Sequence, residues 1–73
     1  MKYTIIEKNF TDEFGNPRVM NILEVIGYNI FFGWDDSSDY DAFRTALNTK
    51  GIDSFVDLIL QDHNTAFSIF CQP

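Results

Sequence analysis

This chain has little of what most recognisable activities need. It has one cysteine, one histidine and two prolines in 73 residues. A single Cys71 cannot form an internal disulfide, and no spacing of Cys and His suits a structural metal. A thin core without a covalent staple fits a reducing compartment. A cytoplasmic location, in a bacterium or an infected cell, is therefore expected. No apolar run approaches the ~20 residues that span a bilayer. The segment Met1–Lys8 lacks the longer apolar stretch of a signal peptide. Basic residues are also scarce, at five against eleven acids, for a formal net charge of −6. Such a chain is repelled by phosphate backbones and anionic lipid heads. Direct nucleic-acid or membrane binding is disfavoured, and a protein partner with a basic surface is favoured.

What is present is apolar and aromatic. Hydrophobic residues make up 45% of the chain, and eight Phe, three Tyr and one Trp can fill a small core. A domain of this size buries only about 60% of its unfolded surface. One acidic domain over residues 1–73 is expected.

Tyr3 to Phe10 is rich in β-branched and aromatic residues and reads as a strand. Thr11–Pro17 follows, with Gly15, Asn16 and Pro17 as turn formers, so the chain should reverse there. Arg18 to Ile26 is the returning strand. Tyr28 to Trp34 reads as a third strand after a tight turn at Ile26-Gly27, or as a continuation past a bulge at Gly27. Ser38 then stands as an N-cap with Asp41 three residues on. Tyr40, Phe43, Ala46 and Leu47 fall on one helical stripe, and Lys50 and Gly51 form a stop. A helix over Asp39–Lys50 is predicted. Phe55–Gln61 is open to two readings. It could be a strand with Val56, Leu58 and Leu60 inward, or a helix capped by Ser54 with Asp57 at N3. The polar cluster Asp62–Thr65 and the alternation of Phe67, Ile69 and Cys71 favour a hairpin. The expected class is α+β, in the order β-β-β-α-β-β: a small, mostly antiparallel sheet with one helix on one face.

Asp35, Asp36, Asp39 and Asp41 place four carboxylates within seven residues. Residues 35–73 hold seven acids against two bases, and residues 1–34 hold four against three. Capping explains one or two of these carboxylates. The remainder form either a solvated loop or a partner-binding patch. Asp35, Ser37 and Asp39 imitate the first ligands of a calcium loop, but Tyr40 stands where Gly is needed and Ala46 where Glu is needed. No metal or other cofactor is expected. Trp34 and Tyr40 suit either a core or an interface anchor. Phe14, between Glu13 and Gly15 at a loop tip, either tucks over the sheet or meets a partner. His63 and Cys71 could act as base and nucleophile only if side by side with an orienting group, so no catalytic residue is assigned.

These features point to a non-catalytic protein-binding inhibitor of a basic nucleic-acid-handling enzyme, with Asp35, Asp36, Asp39, Asp41, Trp34, Tyr40 and Phe14 at the contact. In size and charge the chain is similar to phage anti-defence proteins, such as anti-CRISPR proteins and DNA mimics, and to toxin-immunity proteins. This is a likeness of type and carries no shared motif. The alternative is a structural or adaptor subunit. It would dimerise, or join a larger assembly, through an exposed edge, with Asn29–Phe32 and Phe67–Phe70 as candidate edges.

Overall fold

The computed structural model describes residues 2–73, in two compact units that divide after Ser37. The first is a three-stranded antiparallel sheet in the order β1-β2-β3, with β1 Tyr3–Thr11, β2 Pro17–Val25 and β3 Ile30–Trp34. The second is helical. A 3-10 turn, Ser38–Tyr40, leads into α1 Asp41–Lys50, followed by α2 Ile52–Gln61 and α3 Ala66–Phe70. The α+β class holds.

In the sheet, Ile5 pairs with Leu23 and Leu23 with Phe32, while Ile6 pairs with Ile22 and Ile22 with Gly33. Directly paired residues share a face. Tyr3, Ile5, Leu23, Val25, Ile30, Phe32 and Trp34 therefore lie on one side, where Leu23, Val25 and Trp34 are buried. The Phe32 and Trp34 rings pack with centroids 5.8 Å apart. The other side carries Ile6, Ile22 and Phe31, and Ile6 and Phe31 are exposed.

The connection between β2 and β3 is longer than the expected two-residue turn. Ile26, Gly27, Tyr28 and Asn29 form it, with Gly27 at φ 90° and Asn29 at φ 52°. Asn tolerates this left-handed conformation better than other side chains, which lets the chain turn before Ile30. The third strand is accordingly shorter than expected.

The helical unit corrects the sequence reading more deeply. Residues 54–71 do not form a hairpin. Phe55, Val56 and Ile59 are buried on one stripe of α2, and Ala66 and Phe70 on one stripe of α3. Short apolar runs satisfy period 2 and period 3.6 alike, and packing decides between them. Here Phe43 of α1 meets Phe55 at 4.9 Å, Phe70 at 5.5 Å and Phe67 at 5.7 Å, while Phe55 and Phe70 approach to 4.9 Å. That ring cluster uses helical spacing from all three helices. Three α-helices thus replace the single one expected, and Phe67–Phe70 is no strand edge.

The helix expected over Asp39–Lys50 is present, but its α-helical part begins at Asp41 and has no side-chain cap. Ser38 lies in the 3-10 turn and does not serve as the N-cap. The stop is as read: Gly51 adopts φ 87° and donates its N–H to the Leu47 carbonyl at 3.0 Å. Ser54 does not start α2, which begins at Ile52. Its hydroxyl donates back to the Lys50 carbonyl at 3.0 Å.

Candidate functional site

The most distinctive surface lies at the end of the sheet where β1 turns into β2. Asp12 organises that turn. Its Oδ1 accepts the Asn16 N–H at 2.8 Å and the Phe14 N–H at 2.9 Å. Its backbone N–H donates to the Asn16 carbonyl and its own carbonyl accepts from Gly15, both at 3.0 Å. Gly15 supplies the φ of 82° that this loop needs. The Asn16 N–H is the main reason that the Asp12 carboxyl sits below the usual carboxylate range, with Phe14 N–H and Arg18 adding to it against partial burial. The result is a fixed loop whose tip presents Phe14 at 80% exposure. Phe14 does not tuck over the sheet.

Arg18, the second residue of β2, gathers carboxylates from both sides. Its guanidinium donates to Asp36 at 3.0 Å and lies 3.4 Å from Asp35 and 3.7 Å from Asp12. The pairing of Asn21 with Trp34 explains this, because Asp35 and Asp36 continue past β3 alongside the start of β2. Asp35 also accepts the Ser37 N–H at 2.9 Å. Asp36 is the wet member, with its side chain 84% exposed. Three carboxylates around one guanidinium leave this end of the sheet negative.

Asp35 and Asp36 are thus brought together, with Asp12 and Arg18 as members that sequence reasoning missed. The local signal for Asp12 was an Asp four residues before Asn16 in a Gly-containing turn. Arg18 carried no local signal, since its partners depend on strand register. Asp39 and Asp41 belong to the helical unit. Asp39 is exposed in the 3-10 turn, and Asp41 pairs with Arg44 one turn along α1. Trp34 is 7% exposed, which is a core position. Tyr40 is half-buried just before α1.

Within the helical unit, Ala42, Thr45, Ala46, Thr49, Lys50 and Cys71 line a pocket of about 260 Å³. The Lys50 ammonium donates to the Phe70 and Gln72 carbonyls, each at 2.8 Å, and so closes the end of α3. Burial raises the Cys71 pKa above its usual value, which keeps the thiol protonated and weakens it as a nucleophile. His63 lies in the turn before α3 and Cys71 just after that helix. Among the described residues, no group of three or more His, Cys, Asp or Glu could hold a metal ion. No helix among them is long and apolar enough to cross a membrane.

Comparison with protein-family models, curated proteins and solved structures finds no match.

Proposed function

We propose that this chain is a non-catalytic inhibitor that binds a protein with a basic surface, in the cytoplasm of a bacterium or an infected cell. A nucleic-acid-handling enzyme is the favoured target, because its phosphate-binding groove offers clustered cations. The chain would then act as the anti-CRISPR proteins, DNA mimics or toxin-immunity proteins do that it is similar to in size and charge. One observation carries this reading. Phe14 stands 80% exposed on a fixed loop beside the carboxylates gathered at Arg18. An apolar ring on a rigid tip gains by entering a partner pocket and loses little conformational freedom in doing so. The surrounding negative charge steers a cationic surface toward it.

The test is a pull-down from bacterial lysate at low and at high salt, with the wild type, Phe14→Ala and the double variant Asp35→Asn, Asp36→Asn as baits. The wild type should retain a basic nucleic-acid enzyme at low salt and shed it as salt rises. Phe14→Ala should weaken binding by roughly 30-fold or more, the effect of an anchor worth about 2 kcal/mol. The Asp variant should chiefly slow association and flatten the salt dependence. Equal retention by all three baits, or no basic partner on the wild type, would refute the reading.

A further inference from the structure

β1 is an open edge. Among the described residues it pairs only with β2 in the three-stranded order, and five consecutive residues, Ile5–Asn9, are all exposed. Since side chains alternate between faces, consecutive exposure means that both faces of the strand are wet. Ile5 and Ile6 are 45% and 51% exposed. The other edge, β3, is shorter and ends in the buried Trp34. Bare edges with large apolar side chains recruit further strands.

The backbone shows which groups are on offer. Ile26 N–H donates to the Lys2 carbonyl at 3.0 Å, so Lys2 and Ile26 form a bonded pair in the β1–β2 register. By alternation, Thr4, Ile6, Lys8 and Phe10 bond to β2. Tyr3, Ile5, Glu7, Asn9 and Thr11 direct their N–H and C=O groups to the open side.

We infer that β1 pairs antiparallel with β1 of a second copy, with the two-fold axis at Ile6, to form a continuous six-stranded sheet. A two-fold axis perpendicular to the sheet keeps each face continuous and sets one residue opposite itself. Centring on Glu7 would oppose Glu7 to Glu7, centring on Lys8 would oppose the two lysines, and centring on Ile5 would set Lys2 against Lys8. Like charges directly opposed are destabilising. Centring on Ile6 avoids all three. It sets Ile5 against Glu7, Thr4 against Lys8 and Tyr3 against Asn9. The outward-facing pairs Tyr3–Asn9 and Ile5–Glu7 then exchange both N–H···O bonds across the axis. Ile6 meets Ile6 as a non-hydrogen-bonded pair, whose Cα atoms lie about 4.5 Å apart, the closest approach for side chains. The second copy suits this edge by charge as well. The stretch from Lys2 to Thr11 holds two bases and one acid in an otherwise anionic protein. The strand therefore brings little of the protein's negative charge into the contact itself.

Cysteine cross-linking reads the register directly. In a Cys71→Ser background, Ile6→Cys should oxidise to a covalent dimer, and Lys8→Cys should not. Sedimentation of the wild type should show a dimer, and Ile6→Lys should weaken it at least tenfold with an unchanged circular dichroism spectrum. A monomeric wild type at millimolar concentration would overturn the inference. So would a dimer that survives Ile6→Lys, or cross-linking at residue 8 in place of residue 6.

Discussion

Gly51 shows how much a single residue sets in this chain. It joins α1 to α2 at φ 87° and ψ 157°, a region that is almost exclusive to glycine. A Cβ there would meet nothing within 4 Å, so the objection to a side chain is torsional and not steric crowding by neighbours. Gly51→Ala is expected to cost about 1–3 kcal/mol, read as a lower urea midpoint with an unchanged slope. An unchanged midpoint would show that the joint relaxes freely. Asp12 is the second such residue. Hydrogen bonds from Asn16 and Phe14 favour its charged form, so folding lowers its pKa. The stabilisation is therefore present at neutral pH and fades as pH falls below the ordinary carboxylate range. Asp12→Asn keeps an acceptor without the titration. The stability gap between wild type and this variant should shrink from about pH 7 to about pH 3. A gap that is constant or grows on acidification contradicts the assigned hydrogen bonds.

At the scale of elements, the ring cluster of the helical unit is the main source of its packing. Phe43, Phe55 and Phe70 are at most 1% exposed, and Phe43 touches the rings of Phe55, Phe67 and Phe70. Phe43→Ala should cost about 3–5 kcal/mol in thermal denaturation, comparable to the whole stability of a small domain. Phe67→Ala, at 38% exposure, should cost less than half as much. Equal costs would mean that the cluster is not the core. The same cluster explains where sequence reading succeeds and fails. The first hairpin is legible because Gly15, Asn16 and Pro17 punctuate two β-rich runs. The first helix is legible because its stripe is long and ends in Lys50-Gly51. Residues 54–71 are not, because their apolar runs are too short for their period to be unique. What selects helix there is contact with Phe43, at least twelve residues upstream of either run's buried rings.

For the whole molecule, the proposed basic partner and the proposed second copy depend on different forces. Eleven acids outnumber five bases, and Arg18 and Arg44 are already held by carboxylates. The long-range field is therefore negative, and it is screened over a Debye length of about 10 Å at 0.1 M salt. Binding of a basic partner should weaken steeply with salt. Pairing at β1 rests on backbone hydrogen bonds and Ile6, so it should change little. The two proposed associations can therefore be separated by ionic strength alone.

Acidity, the turn at Gly15-Asn16-Pro17, the stop at Gly51 and the shortage of thiols and imidazoles belong to the sequence by itself. They follow from charge counting and from local φ preferences, which need no distant partner. Three things depended on the tertiary structure: the helical state of α2 and α3, the meeting of Asp12, Asp35 and Asp36 at Arg18, and the identity of β1 as an open edge. Each depends on residues far apart in the chain, so its energy comes from packing and register that no local pattern encodes.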